Sequence, residues 1–335
     1  MHTGKSYKLS EFLYWTRKSI LWLLIISTIP TVLYHVFGLK WIAIPWPVVA
    51  LLGTATAFIV GFKNVQTYNR TWEARTVWGA AMGASRSWAM MCRDFIDDAG
   101  RSKEMIYRHF AWLTALRYQL RAEKVWEHQD KSYNQEYKHF YTVPEKEIPI
   151  EEELIKYISK EELDSLSSKN NKAVQILSVQ GIALKKLYTD GLLEHFRFLE
   201  MHNELRAFCS HQGKSERIKN FPYPRQYATI NALFVKLFCI LLPFALLGEF
   251  NELNESTTGI LKGNMEWLVI PFSVLISWVY TSLEQVGEST ENPFEGSAND
   301  VPISQMSRVA EIDIREMLGE TELPGALQPR NNIVL

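Results

Sequence analysis

The sequence predicts an all-α, polytopic membrane protein with four transmembrane helices and a large helical region outside the bilayer. Three observations carry that reading. Residues 19–37, 42–62, 228–247 and 267–283 form apolar runs long enough to span a bilayer at 1.5 Å per residue. Between the second and third runs lie about 160 polar residues in which apolar and aromatic side chains recur at three- and four-residue intervals, the helical period. Eleven Trp and 17 Phe are many for 335 residues, and several sit at the edges of the apolar runs, where interfacial rings settle.

Composition narrows the classes further. A formal net charge of -1 argues against a nucleic-acid partner. The mean hydropathy of -0.11 would suit a soluble protein, but the average conceals segregation of charge into the first 18 residues, the middle and the tail. Cys92, Cys209 and Cys239 are far apart and form no CxxC pair, so neither a zinc site nor a disulfide framework is indicated.

In chain order, residues 5–13 place Leu9, Phe12 and Leu13 on one side of a surface helix. The N-terminal stretch lacks a small-residue cleavage site, so the first apolar helix is expected to stay in the mature protein. Residues 19–37 contain Pro30, tolerable in a membrane helix as a kink, and His35, an interfacial residue or a ligand. Only residues 38–41 separate this span from the next, which makes the pair an antiparallel hairpin.

The second run, residues 42–62, has 21 positions without charge, roughly 31 Å of helix. Within it Gly53, Ala57 and Gly61 recur every four residues, a small-residue stripe for close helix approach. Thr54, Phe58 and Phe62 follow the same spacing on the adjacent stripe. Spacing alone leaves two readings open: the phenylalanines line something, or they face lipid or core.

Beyond Phe62, helices are expected over residues 64–95, 103–126, 172–188 and 192–209, the last two broken at Asp190-Gly191. Residues 128–168 are highly charged and interrupted by Pro144 and Pro149, so they are expected to form a distal loop with short helices. The acidic run Glu151 to Glu153 reads as a solvated helix start, where the helix dipole favours it. Lys236 falls inside the third span and must snorkel, pair or face water.

Four spans put both termini on one side. Lys5, Lys8, Arg17 and Lys18 precede the first span, whereas the opposite loops carry Lys40 and Lys262 against Glu249, Glu252, Glu255 and Glu266. By the positive-inside rule the termini and the middle region are cytoplasmic. No HExxH, GxSxG or glycine-rich phosphate loop is present, and His195, His202 and His211 lack companion ligands, so neither an enzyme nor a metal site is indicated. Arg70, Glu73 and Arg75, interleaved with Trp72 and Trp78, read as ion pairs stapling packed helices.

Four motifs in order carry a family resemblance: Gly61-Phe62-Lys63-Asn64 with YNRTWEARTVWG (68–79), RIKNFPYPRQYA (217–228), LFCILLPFALLG (237–248), and Glu291-Asn292-Pro293-Phe294 with Asn299-Asp300-Val301-Pro302. On these residues the chain resembles the bestrophin family, more closely its bacterial branch. The resemblance implies a homopentameric ion channel in the plasma (inner) membrane, with four transmembrane helices per subunit around a central pore and a helical cytoplasmic domain. Residues 1–62 would form the surface helix and first two spans, 63–227 a cytoplasmic vestibule, 228–286 the last two spans, and 287–335 a segment wrapping the assembly.

The family's hydrophobic neck would fall on Thr54, Phe58 and Phe62, and its cytoplasmic aperture near Leu192 or Leu193. Gly53, Ala57 and Gly61 would pack one subunit's second helix against its neighbour's. Thr54 departs from the usual apolar residue, and a threonine ring is expected to wet more easily. Animal members follow Asn-Pro-Phe with an acidic calcium clasp. Here Glu295 to Asp300 holds too few carboxylates for a cage of six to eight oxygens, so no cofactor is expected. Lys63, Arg70 and Arg75 would favour small anions unless Glu73 neutralises them. The alternatives are a sodium-selective cation channel and a non-conducting scaffold or receptor docking through residues 128–168.

Overall fold

The computed structural model describes the whole chain except Gln129, Asp130, Ile260 and Leu261, and omits the side chains of Ser132, Tyr133 and Glu255. Among the described residues there are helices and isolated bridges but no strand. Of the acidic residues weighed against Lys40 and Lys262, Glu255 therefore lies outside the described side chains. The chain divides into two compact units: Lys5–Asn69 with Tyr223–Glu291, and Met1–Gly4 with Arg70–Pro222 and Asn292–Leu335.

Among the described residues four helices are long and apolar enough to cross a membrane, and the first unit holds three of them with the apolar half of the fourth. Helix α1, Leu9–His35, merges the expected surface helix and first span into one 27-residue helix, with Pro30 buried inside it. Ser27 and Thr31 donate to carbonyls one turn back (both 2.8 Å), which satisfies their hydroxyls without leaving the helix. Helix α2, Trp46–Phe95, runs without interruption for 50 residues, about 75 Å. The helical stretches expected over residues 42–62 and 64–95 are thus one element. Polarity alone does not end a helix, and no Gly-Pro pair or αL cap follows Phe62.

The other two spans lie in α10, Arg225–Ser256, and α11, Val269–Ser289, and α11 packs against both α1 and α10. Their seams are small and polar: Ser273 donates to Ser27 (2.7 Å), and Trp278 Nε1 donates to Thr16 (3.0 Å). His35 pairs with Glu266 (3.5 Å) and sets its ring edge against Trp267. Lys236 is exposed on this single chain.

The second unit is built on the polar half of α2, α3 (Ala99–Arg121), the short helices α4 (Ser132–Tyr137), α5 (Pro144–Glu147), α6 (Ile150–Leu154) and α7 (Lys160–Ser167), then α8 (Lys172–Thr189), α9 (His195–Asn220) and α12 (Ile303–Met317). Side-chain caps start α3 (Asp98 on Arg101 N, 2.8 Å), α8 (Asn171 on Val174 N, 3.0 Å) and α9 (Glu194 on Phe196 N, 3.0 Å). Trp78, Trp88, Trp112 and Phe208 are fully buried in its core.

The short helices expected within residues 128–168 are present as α4 to α7, Gln129 and Asp130 lying outside the described residues, but the acidic helix start is not wholly solvated. Leu154, Ile158 and Leu166 enter this core, and Glu145 and Glu153 are buried; only Glu151 and Glu152 of the acidic run stay exposed. Charge concealed the segment's contribution because its few apolar residues are spaced to face inward. Helix α12 packs on α3, and the C-terminal Ile333 and Leu335 are buried against Tyr141.

Candidate functional site

Helix α2 presents two opposite faces in the membrane-spanning unit. Val49, Gly53, Thr56, Val60, Lys63 and Thr67 point into the unit and are buried. Thr54, Phe58 and Phe62 lie on the other face and are exposed, Phe58 at 80% and Phe62 at 51%. Thr54 donates its hydroxyl to Ala50 O (3.0 Å), so the group that should wet the stripe is already engaged with the helix.

The small-residue stripe does not share one environment. A Cβ on Gly53 would sit 2.7 Å from the Phe238 ring, and Tyr280 donates to Gly53 O at 3.2 Å. Gly53 therefore serves close packing within its own chain, whereas Ala57 and Gly61 are exposed.

Lys63, a candidate anion attractor by sequence, is only 2% exposed and donates to Glu284 (2.7 Å), with Glu291 3.8 Å away. Asn231 donates to the second Glu284 oxygen, and Arg225 reaches Glu291 at 2.9 Å. A Cβ on Gly287 would meet Asn64 and Lys63 atoms at 3.2 and 3.4 Å, so this glycine lets α11 close over the lysine. Two cations thus answer two carboxylates, which is how buried charge is tolerated. Sequence reading missed the knot, although Lys63 and Glu284, of opposite charge, each stand at the end of a span.

Of the expected staple residues, Arg70 and Glu73 both reach the end of α9. Arg70 donates to Ile218 O (3.2 Å) and Phe221 O (2.8 Å), the open carbonyls at the end of α9, and Glu73 accepts from Arg217. Arg75 is exposed. Of the two aperture candidates, Leu193 is buried in the core and only Leu192 keeps part of its surface, because Gly191 (φ +76°) turns the chain inward after α8.

Asp300 organises the Asn-Pro-Phe segment. Its carboxylate accepts from the amides of Phe294 (2.8 Å), Gly296 (2.7 Å) and Val301 (2.7 Å) and from Arg121 (2.5 Å). Those amides hold Phe294 at φ +72°, a conformation that costs a side-chain-bearing residue energy, with its ring buried beside Trp78. Burial and the neighbouring Asp300 and Glu127 carboxylates push Glu295 up to about 8. Among the described residues no cluster of three or more His, Cys, Asp or Glu could hold a metal.

Residues 13–316 match a family model described as bacterial/fungal bestrophin protein. A relative from Escherichia coli K12, the voltage-dependent anion channel-forming protein YneE, is 29% identical over 297 residues, 88% of this chain and 83% of that protein. The voltage-dependent anion channel-forming protein mll4386 of Mesorhizobium japonicum is 24% identical over 81% of this chain and 74% of its own length. A crystal structure of a bacterial bestrophin homolog from Klebsiella pneumoniae superposes with a TM-score of 0.73 at 24% identity, covering 90% of this chain and 98% of that one.

Proposed function

Because this chain belongs to the bacterial/fungal bestrophin family, we propose that it is an ion channel of the inner membrane whose copies, five in number, enclose a pore that passes small anions. The observation that carries the reading is the exposed stripe of Thr54, Phe58 and Phe62. An apolar, aromatic stripe that its own chain leaves uncovered on a membrane-length helix is suited to a hydrophobic constriction. The names of the curated relatives support anions as the conducted class. Phenylalanine edges are electropositive, which favours large, weakly hydrated anions.

The remaining assignments follow from this reading. Residues 63–227 and 287–335 form the cytoplasmic part by the basic bias of the N-terminal segment, and Leu192 lies nearest the exit. Ions move by electrodiffusion without covalent chemistry, and Asp300, held by three amides and Arg121, leaves gating independent of calcium.

A cation-selective pore is the second reading, and the burial of Lys63 in its ion pair favours it, because that charge no longer attracts anions. Reversal potentials of the purified protein in liposomes under asymmetric NaCl separate the two: a potential near the chloride equilibrium supports anions, and one near the sodium equilibrium overturns that choice. Absence of any flux would leave a scaffold and sink the channel reading.

A further inference from the structure

Helix α3, the turn after α6 and helix α12 line a small cleft of about 10 Å³ that is open on one side. Its polar lining comprises Thr114 and Arg117 from α3, Tyr157, and Ser307, Arg308 and Glu311 from α12. The Arg117 side chain is 9% exposed. Its Nη1 donates to Glu145 (2.8 Å) and its Nη2 to Thr114 (3.4 Å), which leaves Nε a buried donor with no hydrogen-bond partner among the described residues.

Neighbouring groups do not supply the missing acceptor. Tyr157 donates its hydroxyl to Glu311 (3.1 Å), and Ser307 donates to Ile303 O (2.8 Å). Glu311 is further engaged by Arg315 (2.8 Å) and more loosely by Arg308 (3.7 Å). Charge points the same way. Arg117, Arg308, Arg315 and Lys103 are four cations against three anions, Glu145, Glu311 and Glu320, the last shared by Lys103 (2.9 Å) and Arg315 (3.4 Å), while Arg121 is answered by Asp300. A water would satisfy the Nε–H and leave the surplus charge; an anion satisfies both.

We propose that this cleft binds one small monovalent anion of halide size between Arg117 and Arg308, and that its occupancy fastens α12 to α3. The site is separate from the Thr54, Phe58 and Phe62 stripe, and its test reads binding rather than conduction.

The full chain, purified in detergent with gluconate replacing chloride at constant ionic strength, is titrated with sodium bromide while thermal unfolding is followed. Crystals grown in bromide are measured at the bromine absorption edge. The expected result is an anomalous peak within hydrogen-bond distance of Arg117 Nε and an unfolding temperature that rises with bromide. Arg117→Ala would strip the buried Glu145 of its partner and threaten folding, so Arg308→Gln carries the test. It should raise the half-saturating bromide concentration about ten-fold or more, with Arg308→Lys restoring part of the loss. No anomalous peak in the cleft, or the same bromide response in wild type and Arg308→Gln, overturns the site.

Discussion

The two halves of α2 invert the usual relation between polarity and burial. Its apolar half is the least covered of the four spans, with 17% of the membrane-length window buried against 50% in α10. Its polar half carries Ala74, Trp78, Trp88 and Cys92, all fully buried. The inversion teaches that the apolar half is built for surroundings this single chain does not supply, while the polar half is the spine of a self-contained core. A large apolar face left open by its own chain marks a surface made for lipid or for other chains.

The sharpest way to break that comparison is to truncate one aromatic on each half. Trp88→Ala should cost about 3–5 kcal/mol through the cavity it opens beside Phe208. Phe58→Ala and Phe62→Ala should leave stability within about 1 kcal/mol, since both rings are exposed, yet raise ion leak in liposomes. Thermal melts alongside flux check the pair; equal destabilisation on both halves, or unchanged flux, would refute the contrast.

Lys63 sits on the buried face of the apolar half. Lys63→Met leaves Glu284 and Glu291 short of a cation, at a cost of about 3 kcal/mol. The added substitution Glu284→Gln should recover part of that loss, and a double-mutant cycle measures the coupling.

In the core of the second unit, His109 donates to Ser85 (2.9 Å) among Trp88, Trp112 and Phe208, and burial lowers its pKa to about 3. The unfolded chain then takes up the proton first. The contribution is fully present above about pH 6.5 and is lost as pH falls toward 3, about 2 kcal/mol by pH 5. His109→Gln should flatten the acid limb of stability measured between pH 7.5 and pH 5. Glu295 slopes the other way: its carboxyl is held protonated up to about pH 8, so stability falls as pH rises from about 4.5 toward 8. Glu295→Gln should remove that alkaline loss, an effect of about 2 kcal/mol seen by comparing melts at pH 6 and pH 8. The smallest change expected is Thr54→Val, nearly silent in flux because the Thr54 hydroxyl is already held by Ala50.

The four spans were legible because bilayer thickness fixes their length and composition. The α8–α9 break at Asp190-Gly191 was legible because an αL turn favours glycine. The continuity of α2 was not, since polarity changed where backbone preference did not. Helix α12 went unread although Ile303, Met306, Ala310, Ile314 and Met317 recur at three- and four-residue intervals, because the recognised Asn-Pro-Phe segment drew the reading of the tail. The stripe of Thr54, Phe58 and Phe62 was visible as spacing, but its exposure depends on which face α10 and α11 cover, a tertiary fact. The pairing of Lys63 with Glu284 spans 221 positions and leaves no local trace.

Asp300 also bears on the order in which the chain assembles. Its three amide partners lie within six residues, so the turn can close early at little loop entropy. Arg121 lies 179 positions away and can join only after much of the intervening chain has condensed. Chains that misplace α3 would keep the amide-held turn at Phe294 but leave the buried Asp300 carboxylate without its counter-charge.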